Sequence, residues 1–355
     1  MSEPVRSLSR VLGQERSIAQ LRGLLTAGGP VPPLLLHGPE GVGKRTAALG
    51  FAAALVCRRP SDADACGCCP SCQRVAEAWH VTNMRAGADA AAAPRSYPDI
   101  GLIGVPSGRT RISVLQARDV ALSLASHPFA LERRVYVIDP AESLTLAGHN
   151  ALLKTLEEPP DYGVLIMITS AAWALPITVR SRLRSVRFGP LQREMIERIL
   201  IDHGCDADDA RARAALSRGS VARALELDVA SQHAPVEHWV RLVESLAAGE
   251  PAGALAVIAA EQWGAQRQTG LAALEALLDV LRDVVTADEP RVLDEQQRRR
   301  LGPLAERWIA RGLEAAELID RLRREIVQLN RNPRLALEGA VLALAGHLRT
   351  RDLPG

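Results

Sequence analysis

Apolar residues fall into two regimes along the chain. In the first half, short unbroken apolar runs alternate with stretches of helical period, and in the second half only the helical period persists. Leu34-Leu35-Leu36 runs into His37-Gly38, a glycine-rich turn and the helical stretch Thr46–Val56, which reads as strand, loop and helix. Further strands fit Asp99–Gly104, Val135–Ile138 and Val164–Thr169, with helical patterns between them. This alternation predicts an α/β module whose parallel sheet is covered on both faces. Past Pro190 no strand signal remains; residues 191–228 read as a small helical unit, and a second helical block begins near residue 232. There Leu271, Leu274, Leu278, Leu281 and Val285 share one stripe, and another helix fits Leu335–Leu348 after Asn332-Pro333. Residues 80–96, rich in Ala, read as a surface loop or insertion, and no internal repeat is visible.

Composition narrows the classes. The chain has 355 residues, 43 Lys+Arg against 41 Asp+Glu, a net charge of +2 and 47% hydrophobic residues. The length suggests two or three domains, and the composition excludes a disordered chain and a polybasic nucleic-acid binder. No apolar run approaches the roughly 18 residues that span a bilayer. The polar start MSEPVRSLSR has no secretory h-region, so a cytoplasmic protein with no membrane partner is expected. Aromatics make up only 3%, which argues against base-stacking platforms. The only lysines are Lys44 and Lys154; every other basic side chain is Arg. Most arginines therefore need no functional account, whereas the two lysines draw attention.

Lys44 closes the sequence Gly38-Pro39-Glu40-Gly41-Val42-Gly43-Lys44, a G-x-x-x-x-G-K phosphate loop directly after an apolar strand. Gly38, Gly41 and Gly43 let backbone N–H groups turn toward phosphates, and Lys44 adds a point charge. The motif wants Ser or Thr next to hold Mg²⁺, and here that place is Arg45. Thr46 follows, but about 100° further round the helix. Val135–Ile138 ends in Asp139, as a magnesium-holding acidic strand does. A hydrolysing enzyme of this design would place Glu next, and Pro140 stands there. The cradle leaves binding of ATP or ADP open, while magnesium is not held in the usual way and useful hydrolysis by this chain is not expected.

Cys57, Cys66, Cys69 and Cys72 stand as C-x8-C-x2-C-x2-C, with Cys68 inside the set and Cys205 far away. Tight C-x2-C turns bring thiolates onto one tetrahedral ion, and four of them close a structural zinc site. Cys68 is the alternative to Cys66, and His80 is a further candidate ligand. Arg58, Arg59 and Arg74 around the cluster are offset by Asp62, Asp64 and Glu77, which leaves no basic face for a zinc-dependent DNA-binding module. Arg298-Arg299-Arg300 reads as a solvated helix face. Thr178–Leu183 follows the last predicted strand and reads as the start of a helix, with Arg182 a surface arginine on composition alone.

Several segments together resemble bacterial replicative clamp loaders of the AAA+ group that contains gamma/tau and delta-prime. Val11-Leu12-Gly13-Gln14-Glu15 resembles their N-terminal box, and the phosphate loop is followed by a four-cysteine insertion at similar spacing. Asn150-Ala151-Leu152-Leu153-Lys154-Thr155-Leu156-Glu157-Glu158-Pro159-Pro160 is similar to a signature of the family, and Thr178–Arg182 resembles its S-R-C motif, with Leu183 in place of Cys. Asn332-Pro333-Arg334-Leu335 resembles the end of the collar domain.

The resemblance implies an AAA+ core over 1–188 with a zinc module at 57–72, a helical lid over 189–229 and an all-helical oligomerisation collar over 230–355. It also implies that Arg182 acts in trans as an arginine finger on a neighbouring ATP site, with Thr169 and Ser170 at the sensor-1 position. The catalytic gamma/tau members keep Thr after the loop Lys and Glu after the acidic strand's Asp. Arg45, Pro140, Ala222 in Gly219-Ser220-Val221-Ala222-Arg223 and the short C-terminal end all resemble the delta-prime type instead. The implied partners are gamma/tau, delta, the sliding clamp and primed DNA within the DNA polymerase III holoenzyme, a nucleotidyltransferase assembly.

Overall fold

A computed structural model describes residues 7–85, 99–106, 108–285, 292–293, 295–308, 312–328 and 331–349. The chain forms two compact units, one of residues 1–210 with 217–225 and one of residues 211–216 with 226–355.

The first unit is built on five parallel strands: β1 (Leu34–His37), β2 (Ile100–Ile103), β3 (Arg134–Ile138), β4 (Gly163–Thr169) and β5 (Arg184–Arg187), in the order β2-β3-β4-β1-β5. Side chains alternate between two cores, as a period of two requires. Leu34, Leu36, Val135, Val137, Ile166 and Ile168 face Phe51, Ala47 and Leu21 of the helices Lys44–Val56 and Glu15–Ala27. Leu35, Tyr136, Ile138, Leu165 and Met167 face Val120, Leu124, Leu152 and Leu156 of the helices Val114–Ala125 and Leu146–Glu157. Burial on both faces is why β1, β3 and β4 read as continuous apolar runs.

The four expected strands form within a residue or two of their predicted limits, and β5 is additional. In β5 only Val186 is buried, while Arg184, Ser185 and Arg187 are exposed, so a strand at the sheet edge left no apolar run to read. The phosphate-loop helix begins at Lys44 rather than Thr46. The Ala-rich segment lies largely outside the described residues, as does the side chain of His80.

Among its described residues the second unit has helices as its regular structure, chiefly Val229–Ala247, Ala252–Trp263, Arg267–Val285, Glu295–Trp308, Gly312–Gln328 and Pro333–Arg349. Pro333 opens the last helix, at the position where a missing N–H costs nothing. Leu274 and Leu281 of the predicted stripe are buried, but the deepest line on that helix also takes in Ala273, Ala276, Leu277 and Val280. The helix is enclosed by neighbours on more than one side, so its buried face is broader than one stripe. Trp239 is fully buried, and its indole N–H donates to the Ala273 carbonyl at 2.7 Å.

Just before β2, buried Asp99 accepts the N–H groups of Phe129 (2.7 Å), Ala130 (2.6 Å) and Leu131 (3.0 Å) and pairs with buried Arg134 at 3.2 Å. Burial alone would raise its pKa; the three N–H groups and then Arg134 reverse that and hold it below the usual carboxylate range. Its contribution is therefore present above the unfolded-state pKa of about 3.9 and is lost as pH falls through the lower folded value. Asp99→Asn is expected to cost about 3 kcal/mol in urea unfolding at pH 7, because it leaves the buried Arg134 guanidinium without its counter-charge, held only by the Ser123 and His127 carbonyls. The gap to wild type should shrink below about pH 4 as the wild-type carboxylate itself protonates.

Candidate functional site: a phosphate loop with a guanidinium in the metal position

The position of β1 between β4 and β5 puts the loop 38–43 at the carboxyl ends of three strands. Gly38 has φ +144°, and a β-carbon there would come within 2.1 Å of the Phe188 carbonyl oxygen just past β5. Its N–H donates to the Thr169 carbonyl at the end of β4 at 3.3 Å. Gly41, at φ +72°, is crossed by the turn 219–222: the Val221 N–H donates to the Gly41 carbonyl at 3.0 Å, and a β-carbon would meet Ser220 Oγ at 2.1 Å. Gly43, at φ +95°, has Val11 beside it. The glycines are thus demanded by the protein's own packing on the loop.

The charged groups are engaged internally. Lys44 is buried, and its ammonium donates to the Gly38 carbonyl at 2.7 Å and to the Pro39 carbonyl. Burial lowers its pKa, with Asp139, Glu142 and Glu40 opposing. Arg45 Nε lies 2.6 Å from Asp139 Oδ2, so the side chain in place of the magnesium hydroxyl reaches the carboxylate that would share that ion. Pro140 follows Asp139 through a cis peptide. Thr46 is half-buried. Thr169 is fully buried, and its hydroxyl accepts the Ala171 N–H at 2.9 Å.

Glu142 was missed in the sequence because only its spacing, three residues after Asp139, marks it. Its Oε1 accepts the hydroxyl (2.9 Å) and N–H (3.2 Å) of Ser170, while Oε2 is buried without a hydrogen-bond partner.

Arg182 lies past the end of a one-turn helix, Ile177–Arg180, and leads into β5, rather than standing at a helix start. The short run before an edge strand explains the difference. Its guanidinium pairs with Glu157 at 2.6 Å and donates to the Thr178 carbonyl at 2.7 Å, which ties it to the last residue of the helix Leu146–Glu157. Trp173 and Ile177 nearby in the chain are exposed. Arg299 and Arg300, by contrast, are ion-paired within their own unit, with Glu295 and with Glu244.

The sulfurs of Cys57, Cys66, Cys69 and Cys72 all lie within 4.8 Å of one another. Zinc–thiolate bonds of about 2.3 Å in a tetrahedron separate sulfurs by roughly 3.8 Å, and here Cys57–Cys69 is 4.0 Å and Cys69–Cys72 3.5 Å. The donor set fits a zinc ion. Cys69 and Cys72 are buried in the fold, and the Cys66 N–H donates to Cys57 Sγ at 3.3 Å. The backbone N–H groups of Cys68 and, past the opposing burial, Cys69 bring the Cys66 thiol down to about 6. Cys68 is exposed, with its sulfur 3.8 Å from both Arg59 and Cys66 Sγ, and it falls outside the group of four mutually close sulfurs, which favours Cys66 as the fourth donor.

One zinc per chain is expected by elemental analysis. Cys68→Ser should retain it and Cys66→Ser should lose most of it; the reverse pattern would exchange the two assignments.

Comparison with known proteins adds to this geometry. Residues 13–192 match the family described as DNA polymerase III, delta subunit. The delta' subunit of DNA polymerase III from Pseudomonas aeruginosa is 35% identical over 148 residues, covering 42% of this chain and 40% of that protein. The gamma/tau subunit from Mycobacterium tuberculosis is 32% identical over 208 residues, covering 58% of this chain and 33% of its own length. Both matches take in less than two thirds of the relative. Among solved structures, the RuvB Holliday junction branch migration motor of Thermotoga maritima aligns with 84% of this chain and 97% of its own, at 19% identity and a TM-score of 0.47. The chain belongs to the DNA polymerase III delta-subunit family, within the AAA+ clamp-loader group.

Proposed function

We propose that the chain is a delta-prime-type clamp-loader subunit that hydrolyses no ATP itself and completes a neighbouring gamma/tau ATP site with Arg182. The observation that carries this reading is the Arg45–Asp139 ion pair. The pair is worth only about 1 kcal/mol or less, because Arg45 is half exposed. What matters is what it displaces. The hydroxyl ligand is gone, and the carboxylate that would share the ion already has a cationic partner, which a divalent ion would have to displace. Pro140 removes the carboxylate that would orient an attacking water, and Lys44 turns its ammonium to two carbonyls of its own loop.

Arg182 supports the second half of the reading. It is on the surface, held by Glu157 and the Thr178 carbonyl. In trans, its charge would stabilise the γ-phosphoryl as it transfers in the adjoining subunit, an effect worth about 10³–10⁵ in rate where measured. On this reading residues 189–229 serve as the lid and 230–355 as the collar that joins gamma/tau and delta. The four cysteines hold a structural zinc. The assembly opens the sliding clamp and places it on primed DNA, in the cytoplasm; no described helix is long and apolar enough to cross a membrane.

The purified chain alone is expected to show no ATP turnover with magnesium. In an assembly with gamma/tau, delta, clamp and primed DNA, Arg182→Ala should slow clamp loading at least about tenfold without preventing assembly. Turnover by the chain alone would make it a gamma/tau-type ATPase, and a mutant that loads like wild type would reduce Arg182 to a surface arginine. Arg45→Thr, which restores the hydroxyl and frees Asp139, should gain magnesium-dependent binding of a fluorescent ADP that the wild type lacks.

A further inference from the structure

Asp64 belongs to the cysteine loop, between Cys57 and Cys66, yet its carboxylate serves residues 8 and 9, more than fifty positions earlier. Oδ1 accepts the N–H of Leu8 at 2.9 Å and of Ala65 at 2.8 Å. Oδ2 accepts the N–H of Ser9 at 2.9 Å, the Ser9 hydroxyl, and Arg22 at 3.3 Å. Asp64 is only 5% exposed and Leu8 not at all, so the bond between them forms away from water, where an unmade one is costly, while those to Ser9 and Arg22 lie nearer the surface.

The turn that presents Asp64 does not hold itself. Ser61 and Asp64 exchange backbone bonds, N–H of Asp64 to Ser61 at 2.9 Å and the reverse at 3.2 Å. Between them Asp62 and Ala63 both sit in the left-handed region, at φ +50° and +53°. Such a two-residue turn favours Asn-Gly, and Ala63 has neither the freedom of glycine nor a polar side chain to offset the strain. Its conformation must be imposed from outside. One constraint is Asp64's set of bonds, and the other is the closure of the loop by Cys57 and Cys66, whose N–H and sulfur meet at 3.3 Å.

Beyond Ser9 the tethered segment runs to the phosphate loop. Val11 stands 3.5 Å from where a Gly43 β-carbon would be. Gln14, buried, exchanges bonds with Gly189 (its amide N–H₂ to the carbonyl at 2.7 Å, the Gly189 N–H to its oxygen at 3.1 Å) and also reaches the Val42 carbonyl at 3.4 Å. A continuous line of contacts therefore links the four sulfurs, the 61–64 turn, Asp64, residues 8–14 and the phosphate loop.

We propose that the zinc module is a clasp: the metal fixes the 61–64 turn, and Asp64, as a positioning residue, thereby holds residues 8–14 against the phosphate loop. This rests on reading the four cysteines as a zinc site. The test is hydrogen exchange on the full chain with zinc content measured in parallel. Removing zinc with a chelator should raise exchange across residues 8–14 at least tenfold while the amides of β3 and β4 stay protected. Asp64→Asn should give a similar rise with its zinc retained, and stripping zinc from that variant should add less than twofold. Ser9→Ala, which removes one partner only, should give an intermediate rise. A chain that carries no zinc overturns the metal reading. A chain that loses zinc with residues 8–14 still protected, or with β3 and β4 loosened equally, overturns the clasp alone.

Discussion

Both faces of a parallel sheet have to be covered, and that constraint organises everything else in the first unit. With strands this apolar, helices must return across each face, so every strand ends on the same edge and every loop that could carry chemistry collects there. The phosphate loop after β1, Asp139 after β3 and Thr169 closing β4 become neighbours for that reason, although more than a hundred residues separate the first from the last. β1 is the strand on which this depends. It sits inside the sheet, with β4 on one side and β5 on the other, so its loop is hemmed by Thr169 and Phe188 and takes the shape that Gly38 permits.

Within that scaffold, one side chain, Arg45, changes the charge around Asp139. The architecture that elsewhere gathers a hydroxyl and a carboxylate around a cation here gathers a guanidinium and the same carboxylate. The exchange gives Asp139 a cationic partner from the chain itself, and the Lys44 ammonium turns back to two carbonyls of its own loop. The turn 219–222 then lies on Gly41 through a backbone bond, which needs no particular side chain.

What the sequence discloses follows from what each feature demands of residue type. The buried strands were legible because burial on two faces leaves few alternatives to Val, Ile and Leu. The phosphate loop and the cysteine cluster were legible because glycine and thiolate are demanded at fixed spacing. β5 was not legible, since an edge strand with one buried residue, Val186, makes no such demand. The Arg45–Asp139 contact spans 94 positions, and each residue alone reads only as a departure or a match. Asp64 was hidden more completely: it stood as one of several acids offsetting arginines, and only the fold reveals that it accepts amide groups from 55 and 56 residues away. Glu157 likewise sat inside a recognised signature with no hint that it grips Arg182.

β5 has one more effect, on how copies of this chain meet one another. A parallel sheet with an open side strand offers unpaired amides and carbonyls to any extended segment that drifts by. Here that border is short and carries Arg184 and Arg187 outward, so a second copy approaching in the same way would bring like charges together as it tried to pair. Edge-to-edge pairing along this border is thereby disfavoured between two copies.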